Sequence, residues 1–145
     1  MAHLLWVSAS LLLLALWPAA QARAGNTFQY MSGQELEQRL RASDPIIVLD
    51  IQVESEYEQH HVKGATPTHA YPVKSSEDKA KLDEAMPGLK RSSAPVVIVC
   101  PRGAGGAERT YAYLKDQGIP EERLYILEKG QAGWSCAEPT EGQAK

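Results

Sequence analysis

The chain has no surplus of positive charge: 15 Lys and Arg stand against 18 Asp and Glu, for a net charge of −3. It also lacks a basic patch with interleaved aromatic residues, which sets a nucleic-acid partner aside. No internal repeat and no linker divides the 145 residues, so one domain is expected.

Cysteine is scarce, with Cys100 and Cys136 the only two. His60, His61 and His69 lie near one another in sequence, but adjacent histidines on a turn diverge. No Cys or carboxylate completes a metal-ligand spacing around them. Neither a metal nor a cofactor is therefore expected. The glycines from Gly103 to Gly106 do not form a nucleotide fingerprint either, because that motif wants a first strand, a longer βαβ unit and no cysteine at its head.

Long apolar runs are also missing, save one at the start. Leu4 to Trp17 is broken only by Ser8 and Ser10, and it is shorter than the roughly 20 residues that cross a bilayer comfortably. Pro18 follows, and then Ala20-Gln21-Ala22 and Ala22-Arg23-Ala24 both fit the small-residue cleavage pattern. Residues 1–24 read as a secretory signal peptide cut before Arg23 or Gly25. The first residues hold His3 but no Lys or Arg, which keeps an uncleaved anchor as the alternative. On this reading the mature domain spans 25–136 and a disordered polar tail spans 137–145. The protein is then periplasmic or secreted, with no membrane contact after cleavage. Both cysteines lie in the exported part, where they can form a disulfide or serve as one reactive thiol and one bystander.

What the chain does have is a pattern of apolar strands alternating with amphipathic helices. Thr27–Met31 suits a short edge strand, and Ser32 with Glu35 forms a capping box for a helix carrying Leu36 and Leu40 on one face. Ile46-Ile47-Val48-Leu49-Asp50 is an all-apolar strand closed by an acid, as in a parallel sheet covered on both faces. Glu54–His61 suits a short helix, Gly64–Pro67 a loop, and Ala70–Val73 a weak third strand. Ser75 caps a helix over Ser76–Met86, which Pro87-Gly88 should stop. Pro95–Val99 is the central strand, Ala107–Gln117 a helix ending at Gly118, and Leu124–Leu127 the last strand. The alternation predicts an α/β domain with a roughly five-stranded, mostly parallel sheet and helices on both faces.

The stretch Val96-Val97-Ile98-Val99-Cys100-Pro101-Arg102-Gly103-Ala104-Gly105-Gly106-Ala107-Glu108-Arg109 carries the candidate chemistry. It places a sulfur at the carboxyl end of a buried strand, ahead of a glycine-rich loop and a helix N-terminus. Gly103, Gly105 and Gly106 are free to take positive φ and to aim several amides inward as an anion nest. Arg102 and Arg109 add positive charge, and such surroundings favour the nucleophilic thiolate. A cysteine closing an apolar strand is ordinarily packing, but packing gives no reason for three glycines within four residues.

Three segments together resemble the rhodanese-like (sulfurtransferase) family. Leu49 to Ala65 resembles its first signature, an Asp-led strand end, an acidic-aromatic helix and a His-x-x-Gly-Ala turn. Val97 to Leu114 resembles its active-cysteine strand, loop and helix, and Leu127 to Trp134 its closing Gly-to-Trp segment. Two positions depart from the family pattern. Gln52 stands where the family has Arg, and Gly105 stands where its Cys-x-x-Gly-x-Arg loop has Arg.

The resemblance implies a rhodanese-like fold and a two-step sulfur transfer. Cys100 would be the nucleophile, and the loop from Gly103 through Ala104, Gly105, Gly106 and Ala107 the anion cradle. Arg102 and Arg109 would bind a small anionic sulfur donor such as thiosulfate. The acceptor would be cyanide, a thiol or a partner protein, and the protein a monomer. By the same match His61 is a structural turn residue, and Asp50 would cap or brace the cysteine loop. The alternative is a non-catalytic binding or redox-sensing module in which Cys100 is paired to Cys136.

Overall fold

The β-branched run Val96–Val99 forms β5, and all four of its side chains are buried. It is covered on both faces because it lies in the middle of a five-stranded sheet, between β2 (Ile47–Asp50) and β6 (Leu124–Leu127). The computed structural model describes residues 27–135 and 140–142. The expected leader and Cys136 lie outside the described residues. Strand order is β1-β6-β5-β2-β4, with β1 (Tyr30–Met31) and β4 (Thr66–Pro67) at the edges. Every pairing in this sheet is parallel, as the continuous apolar runs required.

Side chains alternate across the sheet and feed two cores. Val96 and Ile98 join Leu49, Leu124 and Ile126 under the helices α3 (Ser76–Asp83), α4 (Met86–Arg91) and α5 (Gly105–Asp116). Val97 and Val99 join Val48, Leu127 and Trp134 under α1 (Gly33–Arg41), which contributes Leu36. The α/β class and the two-faced parallel sheet expected from the sequence are what the structure shows.

Four local expectations are corrected. Gly64–Pro67 is not all loop, since Thr66–Pro67 pairs with Leu49–Asp50 as β4. A proline fits there because an edge strand leaves one side without ladder bonds. Ala70–Val73 is not a strand: Val73 takes φ 61°, outside the extended region, and the segment turns back on itself. The helix expected over Ser76–Met86 ends at Asp83, and Pro87 sits in the first turn of a second helix, α4. Proline is tolerated in a first turn because its missing N–H would have had no partner there. Finally, Thr140–Glu141, expected within a frayed tail, forms β7 and pairs antiparallel with β3 (His61–Val62). The Trp134 indole N–H donates to Thr140 Oγ1 at 2.7 Å and fastens this strand to the second core.

Helix starts follow the sequence more closely. Ser32 Oγ accepts from the Glu35 amide at 3.1 Å, but the expected box is only half formed, because the Glu35 carboxylate accepts from Arg39 instead. Ser75 and Asp78 complete a reciprocal capping box. Helix α2 (Glu54–Gln59) has no capping side chain and no buried residue.

Truncating Leu36, which is fully buried beneath α1, tests the second core. Leu36→Ala should lower the unfolding free energy by about 2–5 kcal/mol with an unchanged denaturant slope, read by urea titration.

Candidate functional site around Cys100

Cys100 leaves the end of β5 with its side chain on the α5 face, 2% exposed and packed in the first core. Its thiol is free, and Sγ accepts one hydrogen bond, from the Gly103 N–H at 3.0 Å. The cradle expected from Gly103 to Ala107 is thus narrower at the sulfur. The Ala107 and Glu108 amides are committed to the Ala104 carbonyl at 2.8 and 3.2 Å. Of the three glycines expected to curl the loop, only Gly103 has positive φ, at 69°. Gly105 and Gly106 are already helical, so α5 begins two residues before the expected Ala107. Gly106 is needed for packing: a Cβ there would come within 2.9 Å of the Tyr71 ring.

The loop is sewn to the closing turn by backbone bonds. The Gln131 amide donates to the Cys100 carbonyl at 2.8 Å, and the Ala132 amide to the Pro101 carbonyl at 3.0 Å. The two backbones cross so closely that a Cβ at Gly103 would meet Gly130 N, Leu127 O and Lys129 N at 2.7 Å each. A side chain on either partner would push the loop off the sheet end.

The two arginines part company. Arg102 is exposed on the loop and lines a groove with Gln52, Glu56, Gln59, His60, Gln131 and Ala132. Arg109 points elsewhere, donating Nε and Nη2 to the Pro72 carbonyl at 3.0 and 2.8 Å. It fastens α5 to the segment after β4.

Asp50 also ends its strand at this edge, but alternation places its carboxyl on the face opposite the sulfur. It does not brace the cysteine loop. Instead Oδ1 accepts from the Gln52 amide at 2.8 Å and Oδ2 from Gln52 Nε2 at 3.1 Å. Burial pushes its pKa up from 3.8 to about 6, against the opposing pull of the Gln52 bonds and of nearby His61 and His69. With a neutral amide where the resembled pattern has a cation, this carboxyl has no ion pair with Lys or Arg among the described residues.

The histidines diverge as expected. His61 stacks on Tyr57, with ring centroids 3.8 Å apart, and its Nδ1–H donates to the Tyr57 carbonyl at 2.6 Å. His69 Nδ1 bonds the Gln52 carbonyl at 3.1 Å. His60 Nδ1 lies 2.8 Å from Gln131 Nε2. Among the described residues no group of three His, Cys, Asp or Glu is arranged to hold a metal ion.

Sequence reasoning missed the groove beside the loop. In the sequence Gln52 marks only a departure from the family pattern, and nothing pairs His60 with Gln131, which are separated by 71 positions and joined by folding alone.

A family model described as a rhodanese-like domain matches residues 32–137. Comparison with curated proteins gives no significant match. Among solved structures, a rhodanese-like domain from Anabaena is 22% identical, with a TM-score of 0.63 over 81% of this chain and 81% of that one. A thiosulfate sulfurtransferase from Pseudomonas aeruginosa is 20% identical, with a TM-score of 0.57 over 74% of this chain and 18% of that one. A yeast protein described as a tyrosine phosphatase of the rhodanese family is 18% identical, with a TM-score of 0.59 over 74% of this chain and 83% of that one. At these identities the likeness is one of fold.

Two outcomes follow from the geometry. Gly103→Ala should cost about 1–3 kcal/mol of stability or more, from its positive φ alone. Gly105→Ala should stay within about 1 kcal/mol, because a helical Ala is favoured and its Cβ would come closest, at 3.0 Å, to Arg109 Nη1, a nitrogen outside the Pro72 bonds. Urea titration of both variants separates the two glycine roles. The raised Asp50 pKa stabilises the fold fully below about pH 4, and that contribution is lost as pH rises through about 6. The shift corresponds to a contribution on the order of 3 kcal/mol. Wild type should therefore lose about that much stability relative to Asp50→Asn between pH 4 and pH 8, measured by chemical unfolding.

Proposed function

The chain belongs to the rhodanese-like domain family, and from that premise we propose that it is a sulfurtransferase working through a Cys100 persulfide. The observation that carries this reading is the bond from the Gly103 amide to Cys100 Sγ, at the end of the central strand. That bond sets a backbone N–H 3.0 Å from the sulfur that attacks the donor and then carries the transferred sulfur.

In the first step the Cys100 thiolate attacks the outer sulfur of a donor such as thiosulfate. A new S–S bond forms to Cys100, the donor S–S bond breaks, and sulfite leaves with its electron pair. In the second step a nucleophile, whether cyanide, a thiol or a partner protein, attacks the outer sulfur of the persulfide. The electron pair of the broken bond returns to Cys100 as thiolate, so the protein ends unchanged. Arg102, exposed on the loop, supplies the cation that attracts the donor dianion. Arg109 supports the site through its bonds to Pro72 rather than by meeting substrate. A cleaved leader over 1–24 would place this monomeric enzyme in the periplasm or outside the cell.

The phosphatase described among the structural neighbours suggests a second reaction for the same fold. That chemistry calls for an arginine at the end of the cysteine loop to clamp a tetrahedral oxyanion. Here the loop runs into α5 at Gly105, and the arginines fall two and nine residues after Cys100. Sulfur transfer suits these residues better.

Intact-mass measurement after exposure to thiosulfate tests the reading. Wild type should gain the mass of one sulfur atom and lose it on addition of cyanide, whereas Cys100→Ser should gain nothing while keeping its fold. Sulfur uptake by the variant, or none by wild type, overturns the mechanism.

A further inference from the structure

Cys100 is 2% exposed, so neither a sulfur donor nor an acceptor lines up with its sulfur until something beside it moves. On one side stands the crossing of the cysteine loop with the turn after β6. The Gln131 and Ala132 amides hold that side, and a Cβ at Gly103 would find three backbone atoms at 2.7 Å. It has no room to shift. On the sulfur's own face of the sheet lies the segment after β4, residues 68–73. Its Ala70 and Val73 share the core of Cys100, and Tyr71 packs against that core.

This segment is built to move. It belongs to neither a helix nor a strand. Two of its residues take left-handed backbone conformations without being glycine, His69 at φ 54° and Val73 at φ 61°. The second is β-branched, for which such a conformation is strained. Its ends are anchored: the Thr68 amide donates to the Asp50 carbonyl at 2.8 Å, and the Lys74 amide to the Asp78 carboxylate at 2.9 Å. Between them a side chain holds it to α5. Arg109 Nε and Nη2 both donate to the Pro72 carbonyl, one residue before the strained Val73. The fit beneath is close, since a Cβ at Gly106 would lie 2.9 Å from Cδ2 and Cε2 of the Tyr71 ring. An arginine can change rotamer, whereas the backbone crossing on the other side cannot.

We infer that residues 68–73 form a strap closed over the sulfur, with Arg109 as its latch and Tyr71 as its cover. Releasing the Pro72 carbonyl lets Val73 leave its strained conformation, and the Tyr71 ring then lifts from Gly106. The purpose of the strap rests on the reading of Cys100 as a sulfur carrier: when closed, it keeps the persulfide from stray nucleophiles between loading and transfer. Arg109 is a positioning residue, acting on access to the sulfur through Pro72.

Two rates in the native protein report opening. One is alkylation of Cys100 by iodoacetamide, read on the Cys100 peptide by mass spectrometry. The other is hydrogen exchange at the Tyr71 and Val73 amides, which donate to the Ile51 and Ala70 carbonyls at 2.8 Å each. Arg109→Ala should raise both about tenfold or more, the worth of a hydrogen bond from a charged group. Arg109→Lys, which keeps the charge but not the two-pronged grip, should fall between. Leu36→Ala weakens the opposite core and should leave both rates unchanged. If alkylation rises as much in Leu36→Ala, the sulfur is reached by general unfolding and the strap is wrong. If alkylation is unchanged in Arg109→Ala, or rises while the Tyr71 and Val73 amides stay protected, the latch is wrong. Should Arg109→Ala not fold, wild type decides alone: its Tyr71 and Val73 amides should exchange faster than those of Val97 and Ile98 in β5, and equal rates overturn separate opening. Protein loaded with sulfur from thiosulfate tests the shielding. Arg109→Ala should surrender that sulfur to cyanide about tenfold faster than wild type, and equal rates would refute a protective role. No loading at all would overturn the transferase reading, while alkylation and exchange would still decide the strap.

Discussion

The close crossing of two backbones, the cysteine loop and the turn after β6, is the constraint on which the rest of this structure depends. Two amide-to-carbonyl bonds, Gln131 to Cys100 and Ala132 to Pro101, hold the crossing, and Gly103 and Gly130 allow it. Gly130 takes φ 56°, and a Cβ there would fall on the Cys100 carbonyl oxygen. Only backbone fits in that space. The loop is therefore positioned by hydrogen bonds of fixed geometry rather than by side chains that can change rotamer, and the Gly103 amide is aimed at the sulfur as a consequence.

Around that fixed point the two faces of the sheet have divided the work. The α5 face buries the sulfur among apolar groups, and Arg109 locks α5 against the segment after β4. The opposite face carries the buried polar groups Asp50, Gln52, His61 and Gln131. Bonds link Asp50 to Gln52, Gln52 Nε2 to the His60 carbonyl, and the His60 ring to Gln131, whose own amide reaches Cys100. Loop position and groove lining are thus connected through one set of contacts. With Gln52 in place of a cation, no Lys or Arg enters that set, and Glu56 and Arg102 stand exposed at its edge.

Much of this was legible in the sequence, for physical reasons that differ by element. The runs Ile47–Leu49, Val96–Val99 and Leu124–Leu127 are apolar at successive positions, as strands covered on both faces require, so the parallel sheet could be read directly. Ser32 and Ser75 announced their helices because capping is a matter of a few neighbouring residues. The cysteine at a strand end before a glycine-rich loop likewise marked the site, since strand, loop and helix there are consecutive. Tertiary structure alone decided what depends on distant partners. It made Thr66–Pro67 a strand by pairing it with β2, and Thr140–Glu141 a strand by pairing it with β3. It turned Arg109 away to Pro72, put Asp50 on the face opposite Cys100, and brought His60 to Gln131 across 71 positions. Local chemistry sets what a segment can form, but which carbonyl or side chain lies within reach of a donor is fixed only once remote parts of the chain have packed together.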